Sequence, residues 1–413
     1  MYSRNITDNV VEALQDTPAV FIRGARQVGK STLVQELAAT RHPAQYVTLD
    51  NATVLAAATS DPQGFLAGFP GPMILDEIQR APRLLPAIKE AIDRDRRPGR
   101  FLLTGSANLL TVPTVAESLA GRVEVLTLWP LSQGERAGRR EDFIDRLFQG
   151  GKFATRKQGL PQADLLERIV VGGYPEPLGR VGQKRRAAWF ESYLTTILER
   201  DVRDISNIQD LAALPRLLQF LSARTASLLN QSEVSRSLGI PNSTLGRYMD
   251  LLEGVFLVFK LPAWTANLGK RLVKSPKLYV ADTGLAAHLA GADVKRLQAE
   301  PELSGRLLEN FAVAEIMKQA TWSDTSVRLY HFRTTAGREV DLVLEDSAGR
   351  VAGIEIKLSA TLETKHFAGL KALQESLGER FQAGVVLYGG TEVVPFGERL
   401  WAVPVAGLWQ GED

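Results

Sequence analysis

The stretch Phe21-Ile22-Arg23-Gly24-Ala25-Arg26-Gln27-Val28-Gly29-Lys30-Ser31-Thr32 decides the fold of this chain. A glycine, four residues and then Gly-Lys-Ser fits the pattern of a loop that wraps phosphate groups. The glycines let the backbone turn tightly, so that its N–H groups face phosphate oxygens, and the following helix adds its positive amino terminus. The apolar run before the loop and the helix-like run after it argue against a chance glycine turn.

We therefore predict a nucleotide site in this loop. Lys30 supplies a fixed positive charge for the phosphates, and the hydroxyl of Ser31 can hold Mg²⁺. The predicted nucleotide-binding residues are Gly24, Ala25, Arg26, Gln27, Val28, Gly29, Lys30, Ser31 and Thr32.

Composition sets limits on the rest of the chain. Its 413 residues are enough for two or three domains, and a hydrophobic content of 45% is that of a globular protein. The net charge of +2 is too small to indicate nucleic acid, so any basic surface must be local. The sequence has no cysteine, which excludes disulfides and thiolate metal sites and favours a cytoplasmic location. We find neither a signal peptide nor an apolar run of membrane-spanning length, and we expect no membrane partner.

Apolar strands alternate with helices through the first 150 residues. Beyond the strand that carries the loop, we predict strands at 45–50, 72–77, 100–106 and 123–128, with a helix at 84–92. This alternation indicates an α/β domain with a parallel sheet covered by helices on both faces. In such sheets, ligands bind beyond the carboxyl ends of the strands.

Polar residues at those strand ends complete a predicted catalytic site. Asp76 is placed to hold Mg²⁺ through water, and Glu77 to polarise an attacking water. Thr104 or Ser106 can touch the γ-phosphate or that water. The alternative for the acidic pair is a solvated strand end, which the neighbouring phosphate loop disfavours.

These motifs resemble P-loop ATPases of the broad AAA-like group that carry an additional catalytic glutamate. The resemblance implies ATP as the nucleotide, since no guanine-reading motif is present, with Mg²⁺ as cofactor. It also makes Arg122 a candidate catalytic arginine, which would act on the γ-phosphate in its own chain or in a neighbouring copy. A surface arginine near the start of a strand is an equal alternative.

The middle region, residues 151–300, contains a helix, a glycine turn and a second helix between residues 231 and 252. This order is typical of a helix-turn-helix, and strands at 255–261 and 277–280 could form a wing beside it. We expect DNA contacts from the second helix and from a basic patch in the wing. The candidates are Asn242, Ser243, Thr244 and Arg247, near which Tyr248 also lies, and Lys270, Arg271 and Lys274. The alternative is a winged helix used only for packing or oligomerisation.

The last region, residues 301–413, combines acidic residues with a lysine. Glu355 and Lys357 are two apart on one predicted strand and so share a face, and Asp341 lies on the adjoining strand. Together with Glu309 on the preceding helix, they suit metal-dependent cleavage of phosphodiesters. The arrangement resembles the restriction-endonuclease-like superfamily. The alternatives are a domain that keeps this fold only as a binding platform, and a solvated Glu-Lys pair on an edge strand.

The whole chain resembles a family of prokaryotic ATPases that join an AAA-like domain to a carboxyl-terminal domain of unknown function. The shared motifs are the phosphate loop and residues 75–79, 103–106, 172–176 and 200–202. We expect three domains, at 1–150, 151–300 and 301–413, and an ATPase that handles DNA, with branched DNA such as Holliday junctions as the substrate and a homo-oligomer as the assembly. The alternative is a nucleotide-controlled switch or scaffold with an inert nuclease-like domain and no DNA substrate.

Overall fold

The computed structural model describes residues 2–106, 121–151, 153, 159–202, 212–265, 275–334 and 337–410. In the first region, helices and strands alternate as the sequence predicts. The strands are β1 (Ala19–Arg23), β2 (Gln45–Thr48), β3 (Met73–Asp76), β4 (Phe101–Gly105) and β5 (Val123–Thr127). The helices are α1 (Thr7–Asp16), α2 (Lys30–Thr40), α3 (Ala52–Ser60), α4 (Pro62–Ala67), α5 (Leu84–Arg94), α6 (Gln133–Ala137) and α7 (Phe143–Phe148).

The first sheet is parallel, with strand order β2-β3-β4-β1-β5. Strands β1, β3 and β4 are almost entirely buried, which explains their continuous apolar sequences. Because all five strands point the same way, the residues that follow β1, β3 and β4 meet at one edge of the sheet. The predicted α/β sheet is therefore confirmed.

The middle region is mostly helical. Its helices are α8 (Gln162–Val171), α9 (Pro175–Leu178), α10 (Gln183–Thr196), α11 (Ala213–Ala223), α12 (Gln231–Leu238), α13 (Asn242–Gly254), α14 (Thr283–Leu289) and α15 (Val294–Ala299). The sequence of residues 187–205 favours one long amphipathic helix. The structure has α-helix to Thr196, a π-helical turn, Ile197–Asp201, and helix again at Val202, after which residues 203–211 lie outside the described residues. Strands β6 (Ser227–Leu228), β7 (Val258–Leu261) and β8 (Lys277–Val280) form a small antiparallel sheet in the order β6-β8-β7.

The last region is a mixed sheet of six strands with helices packed on it. The helices are α16 (Pro301–Gln319) and α17 (Ala368–Leu377). The strands are β9 (Val327–Arg333), β10 (Glu339–Asp346), β11 (Val351–Lys357), β12 (Phe381–Tyr388), β13 (Val394–Gly397) and β14 (Leu400–Pro404), in the order β13-β14-β12-β11-β10-β9. The pairs β9/β10, β10/β11 and β13/β14 are antiparallel, whereas β11/β12 and β12/β14 are parallel. Strand β13 is not predicted from the sequence, because it has four residues and one of them is a proline, which disfavours a strand.

One hydrophobic core continues through all three regions. It includes Leu33 beneath the first sheet, Leu217 in the middle region and Ile354 in the last sheet. A tight backbone contact also links the first two regions, where the Leu131 N–H donates to the Gly173 carbonyl at 2.8 Å. A Cβ on Gly173 would lie 2.3 Å from the Leu131 carbonyl oxygen, so glycine is required at this contact.

Candidate functional site

The phosphate loop connects β1 to α2 at the centre of the first sheet. A Cβ on Gly24 would lie 2.2 Å from the Leu128 carbonyl oxygen, so no other side chain fits where the loop leaves the strand. Gly29 has a φ of 99°, in the left-handed region that glycine adopts without strain, directly before the helix begins at Lys30. Both glycines of the motif are therefore explained by backbone geometry.

Lys30 is buried and folds back over the loop. Its Nζ donates to the carbonyl oxygens of Gly24 and Ala25 at 3.0 and 2.8 Å. Both of these acceptors are backbone carbonyl oxygens, so the two bonds hold the ammonium at the start of the phosphate loop. Of the other predicted loop residues, Ala25 and Val28 are buried, Arg26 and Ser31 are half-buried, and Gln27 and Thr32 are exposed.

Asp76, at the end of β3, is surrounded by hydroxyl groups. Its Oδ1 accepts from Ser31 Oγ at 3.1 Å and from the hydroxyl of Thr104, and its Oδ2 accepts from the Tyr46 hydroxyl at 2.8 Å. Burial, and then the Asp76 carboxylate, raises the pKa of Tyr46 to about 12, so this phenol stays a donor. The predicted pair of Ser31 and Asp76 thus lies in contact, and Tyr46 and Thr104 orient the carboxylate.

Glu77 follows in a left-handed backbone conformation, with φ 60°, and its N–H donates to Thr104 Oγ1 at 3.1 Å. The Gln79 amide donates both to the Glu77 carboxylate and, at 2.9 Å, to Ser106 Oγ. Glu77 and Ser106, which the sequence predicts as catalytic, are therefore gathered by a glutamine that sequence reasoning missed. The available signal was a polar residue two positions after the acidic pair.

Arg4 is a second residue that sequence reasoning missed. It is buried, and its guanidinium donates to the Val28 carbonyl at 2.7 Å, the Trp129 carbonyl at 2.7 Å and Glu135 Oε1 at 3.0 Å. These bonds tie the phosphate loop to the chain beyond β5. Nothing in the local sequence marks this arginine, because its partners lie 24 to 131 residues away.

The structure does not bring Arg122 to this edge of the sheet. Arg122 directly precedes β5, and Val123 pairs with Ala19 at the amino-terminal end of β1, whereas the phosphate loop follows the carboxyl-terminal end. Its guanidinium pairs with Asp93 on α5 at 2.6 and 3.0 Å. Within one chain, Arg122 therefore lies across the sheet from Lys30.

The middle region also touches the phosphate loop. The hydroxyls of Tyr174 and Tyr193 lie 2.9 Å apart in the core, and the Tyr193 hydroxyl lies 3.4 Å from the Arg26 carbonyl. Tyr174 follows the Gly172-Gly173 pair, whose second N–H donates to Asp282 at 2.6 Å. The glycine pair that begins the shared motif at 172–176 thus precedes an aromatic residue that, with Tyr193, lies beside the loop.

The predicted DNA-contacting residues of α13 lie at its amino-terminal end. Asn242, Ser243 and Arg247 are exposed, Thr244 is half-buried, and Tyr248 is buried with the core. Asn242 and Ser243 are residue types that often cap a helix, but here Pro241 precedes the helix and no side chain caps it. Lys270, Arg271 and Lys274 lie outside the described residues.

The last region does gather the predicted acidic cluster, but a further lysine joins it. Lys277, on β8 of the middle region, donates to Glu309 Oε1 at 2.7 Å and to Asp341 Oδ1 at 3.0 Å. The Tyr279 hydroxyl also donates to Glu309, at 2.8 Å, and Lys357 Nζ donates to Glu355 Oε1 at 2.6 Å. We call these residues the carboxyl-terminal cluster: Lys277, Tyr279, Glu309, Asp341, Glu355 and Lys357.

Burial sets the electrostatics of the carboxyl-terminal cluster. Burial, and then the charge of Asp341, raises the pKa of Glu309 to about 7 and that of Glu355 to about 8. Burial opposes the charge of Lys277, but Asp341 and Glu309 outweigh it and hold the pKa of Lys277 above its usual value. Lys277 therefore stays an ammonium ion between two carboxyl groups.

The phosphate-loop site and the carboxyl-terminal cluster thus both combine lysine and acid side chains, and the first is built around a phosphate-binding loop. Hydroxyl and carboxylate oxygens, as at Ser31 and Asp76, are ligands that Mg²⁺ prefers. Within the described residues, no three Asp, Glu, His or Cys side chains group as a metal centre, and no helix is long and apolar enough to cross a membrane.

Comparison with known proteins agrees with the geometry of the first site. Residues 16–137 match the model of an AAA domain, so the first region is an AAA-like P-loop ATPase domain. Residues 162–296 and 304–408 match two domains of unknown function, DUF8612 and DUF4143. The restriction-endonuclease-like nature of the last region and the domain boundaries at 150 and 300 stay predictions.

The chain belongs to the same family as uncharacterized protein Rv2008c of Mycobacterium tuberculosis, to which it is 32% identical over 97% of this chain and 83% of that protein. An uncharacterized protein of Haemophilus influenzae is 25% identical over 53% of this chain and 52% of its own length.

Two solved structures are also similar. The Walker-type ATPase PABY2304 of Pyrococcus abyssi has a TM-score of 0.41 and 17% identity, covering 70% of this chain and 96% of its own. RuvB of Thermotoga maritima has a TM-score of 0.30 and 18% identity, and the match covers 66% of this chain and 95% of the RuvB chain.

Proposed function

We propose that this protein is a Mg²⁺-dependent ATPase whose turnover is coupled to DNA, with branched DNA such as a Holliday junction as the substrate. The observation that carries the ATPase part is the meeting of Lys30, Asp76 and Glu77 at one edge of the first sheet. A buried ammonium, a carboxylate held by hydroxyls and a second carboxylate beside it are the groups that phosphoryl transfer to water requires.

The donor set fits a magnesium ion. Ser31 Oγ and Asp76 Oδ1 lie 3.1 Å apart, so one cation could be held between them directly or through water. When bound, Mg²⁺ neutralises charge that develops on the phosphates. Tyr46 and Thr104 keep the Asp76 carboxylate pointed at Ser31.

Glu77 is the proposed general base. It is placed one residue beyond Asp76, and its carboxylate is held by the Gln79 amide, which also reaches Ser106. A carboxylate in this position can accept the proton of an attacking water. Lys30 balances the negative charge of the phosphates. Ser106 accepts from the Gln79 amide and so orients that amide toward the Glu77 carboxylate.

The order of elements in the middle region supports the DNA part. Helix α11, strand β6, helices α12 and α13 and strands β7 and β8 follow each other as in a winged helix, with α13 as the helix that enters a major groove. The exposed Asn242, Ser243 and Arg247 stand at the end of α13 that meets base edges and phosphates in that geometry.

We also propose a homo-oligomer. Arg122 lies across the sheet from Lys30 of its own chain, so it can act on a γ-phosphate only in a neighbouring copy. Light scattering of the full chain, with and without a non-hydrolysable ATP analogue, tests this. Arg122→Ala should lower ATP turnover only under conditions in which the mass exceeds that of one chain.

The deciding experiment is the rate of ATP hydrolysis by the full chain, measured with branched, double-stranded and single-stranded DNA at several salt concentrations. We expect the largest stimulation from branched DNA, and we expect it to weaken as salt rises, because phosphate contacts release counterions. Turnover that no form of DNA changes would contradict the DNA part, and absent turnover in Mg²⁺ would contradict the ATPase part.

A second candidate function is a nucleotide-controlled switch. The contact between Tyr193 and the Arg26 carbonyl favours it, because it offers a route from the phosphate loop to the middle region that involves no DNA. A switch would show slow turnover independent of DNA and a change in mass or shape when ATP replaces ADP. The same assays therefore separate the two functions.

A further inference from the structure

The carboxyl-terminal cluster contains a cation that belongs to the protein. Lys277 is buried, with 8% of its side chain exposed, and its Nζ lies 2.7 Å from Glu309 Oε1 and 3.0 Å from Asp341 Oδ1. Lys277 comes from β8, outside the sheet that carries Asp341. This ammonium lies between the acidic residues that, in a metal-dependent nuclease, would hold the metal.

The remaining bonds of the cluster leave little room for a divalent ion. Both carboxylate oxygens of Asp341 accept hydrogen bonds from the protein. Oδ1 accepts from Lys277 Nζ, and Oδ2 accepts from the Ile356 N–H at 3.0 Å. Glu355 accepts from Lys357 at Oε1, and its buried Oε2 has no hydrogen-bond partner, so a single oxygen of this carboxylate is left for a ligand. A metal ion entering here would displace Lys277 and leave its ammonium buried without its partners, which is costly. Because both oxygens of Asp341 are bonded and Lys277 already pairs with two acids, the one unbonded oxygen of Glu355 is too little to hold the magnesium ion that the endonuclease-like resemblance implies, and the residues present do not fit it.

We infer that Lys277 is the resident cation of the carboxyl-terminal cluster, where its ammonium takes the place of a divalent metal and fastens β8 to the last sheet. The inference goes beyond the proposed function and does not depend on ATP hydrolysis. In this inference the acidic residues of the last region bind the Lys277 ammonium, which neutralises their charge and holds β8 against the last sheet.

Neighbouring contacts at both ends of the segment between β7 and β8 support this fastening. The Trp264 N–H donates to the His331 carbonyl at 2.6 Å, and the His331 N–H donates to the Pro262 carbonyl at 2.9 Å. At the other end, His331 Nε2 lies 3.2 Å from the Ser275 carbonyl, two residues before Lys277. Strand β9 of the last sheet therefore holds the chain where it leaves β7 and where it returns to β8.

Manganese binding tests the metal part. The full chain, free of nucleotide, is titrated with Mn²⁺, and the bound ions are counted by electron paramagnetic resonance. We expect Asp341→Asn and Glu355→Gln to bind as many Mn²⁺ ions as the unmodified chain, while Asp76→Asn reports any ion held at the phosphate loop. Loss of one Mn²⁺ per chain in either cluster variant would overturn the inference. Two cluster variants are used so that one remains informative if the other fails to fold.

Thermal unfolding tests the fastening. Lys277→Met keeps the length of the side chain and removes its charge, so we expect a lower melting temperature, which Mn²⁺ partly restores because the carboxylates are now without their ammonium. Lys260→Met is the matched control, since Lys260 on β7 also pairs with two acids but is more exposed. A Lys277→Met chain that melts like the unmodified chain would overturn the inference, whereas failure of this variant to fold would agree with it.

Discussion

The phosphate-loop site and the carboxyl-terminal cluster contain the same residue types, lysine and acidic residues, but these residues bond to different partners. In the first, Lys30 donates to backbone carbonyls, and Asp76 accepts from neutral hydroxyls. In the second, Lys277 donates directly to the carboxylates of Glu309 and Asp341. The lysine and the acids of the carboxyl-terminal cluster are bonded to each other, and removing one partner of such a buried pair leaves the other charge uncompensated.

The contrast has a backbone origin. The phosphate loop brings the two carbonyls of Gly24 and Ala25 to the ammonium of Lys30, and this is possible because both glycines of the motif permit a very tight turn. In the carboxyl-terminal cluster, four separate elements, β8, α16, β10 and β11, bring side chains together without such a loop. The phosphate-loop site thus depends on a tight backbone turn, whereas the carboxyl-terminal cluster is formed by side chains of separate elements and has no such turn.

The largest expected effect is at the phosphate loop. Lys30→Ala should weaken ATP binding on the order of 100-fold or more, because a buried ammonium is lost from the charges that face the phosphates. Glu77→Gln should bind ATP nearly as well but hydrolyse it about 100-fold more slowly or worse, because the base is lost. Fluorescent-nucleotide titration and phosphate release measure the two effects.

Lys89→Ala is the control for the loss of a lysine, since Lys89 is a partly exposed residue of α5. It should leave both measurements unchanged. A Glu77→Gln chain that still cleaves ATP at the original rate would show that another group is the base.

The next prediction compares one aspartate from each site. Asp341→Asn should lower the free energy of unfolding by about 3 kcal/mol, because Lys277 then keeps only one of its two buried anionic partners. Asp76→Asn should change it by less than about 1 kcal/mol, since the hydroxyls of Ser31, Tyr46 and Thr104 can reorient toward an amide. Urea unfolding without nucleotide measures both. Equal losses would remove the distinction between the two sites.

A smaller effect is expected at Arg4, which holds the phosphate loop from behind. Arg4→Met should weaken ATP binding about 10-fold, because the carbonyls of Val28 and Trp129 lose their charged donor and the loop loses its fixed position. Arg41→Met is the matched control, since Arg41 is an exposed arginine that pairs with Asp8. If both variants bind ATP alike, the loop is positioned without Arg4.

Much of this fold could be predicted from the sequence, because its signals are local. The loop at 24–32, the apolar strands of the first sheet and the two-residue spacing of Glu355 and Lys357 are short patterns with a direct structural meaning. Even the meeting of Asp341 with Glu355 followed from the expectation that their strands are neighbours, which the pairing of β10 with β11 confirms.

The residues that sequence reasoning missed depend on distant contacts. Lys277 lies 64 residues from Asp341, and Arg4 lies 131 residues from Glu135. Neither the burial nor the partners of Lys277 follow from its neighbours in the sequence. The packing of one region on another decides such contacts, and no local pattern encodes that packing.

The smallest expected effect concerns DNA binding by α13. There the comparison extends to a third region, in which Arg247 is exposed to solvent. Arg247→Ala should weaken DNA binding several-fold and reduce the slope of log affinity against log salt by about one, since one phosphate contact is lost. Arg94→Ala, an exposed arginine of α5, should change neither quantity. Fluorescence anisotropy with a labelled branched DNA at several salt concentrations measures both. An unchanged slope for Arg247→Ala would mean that the exposed end of α13 does not meet the DNA backbone, and the region would then be used for packing.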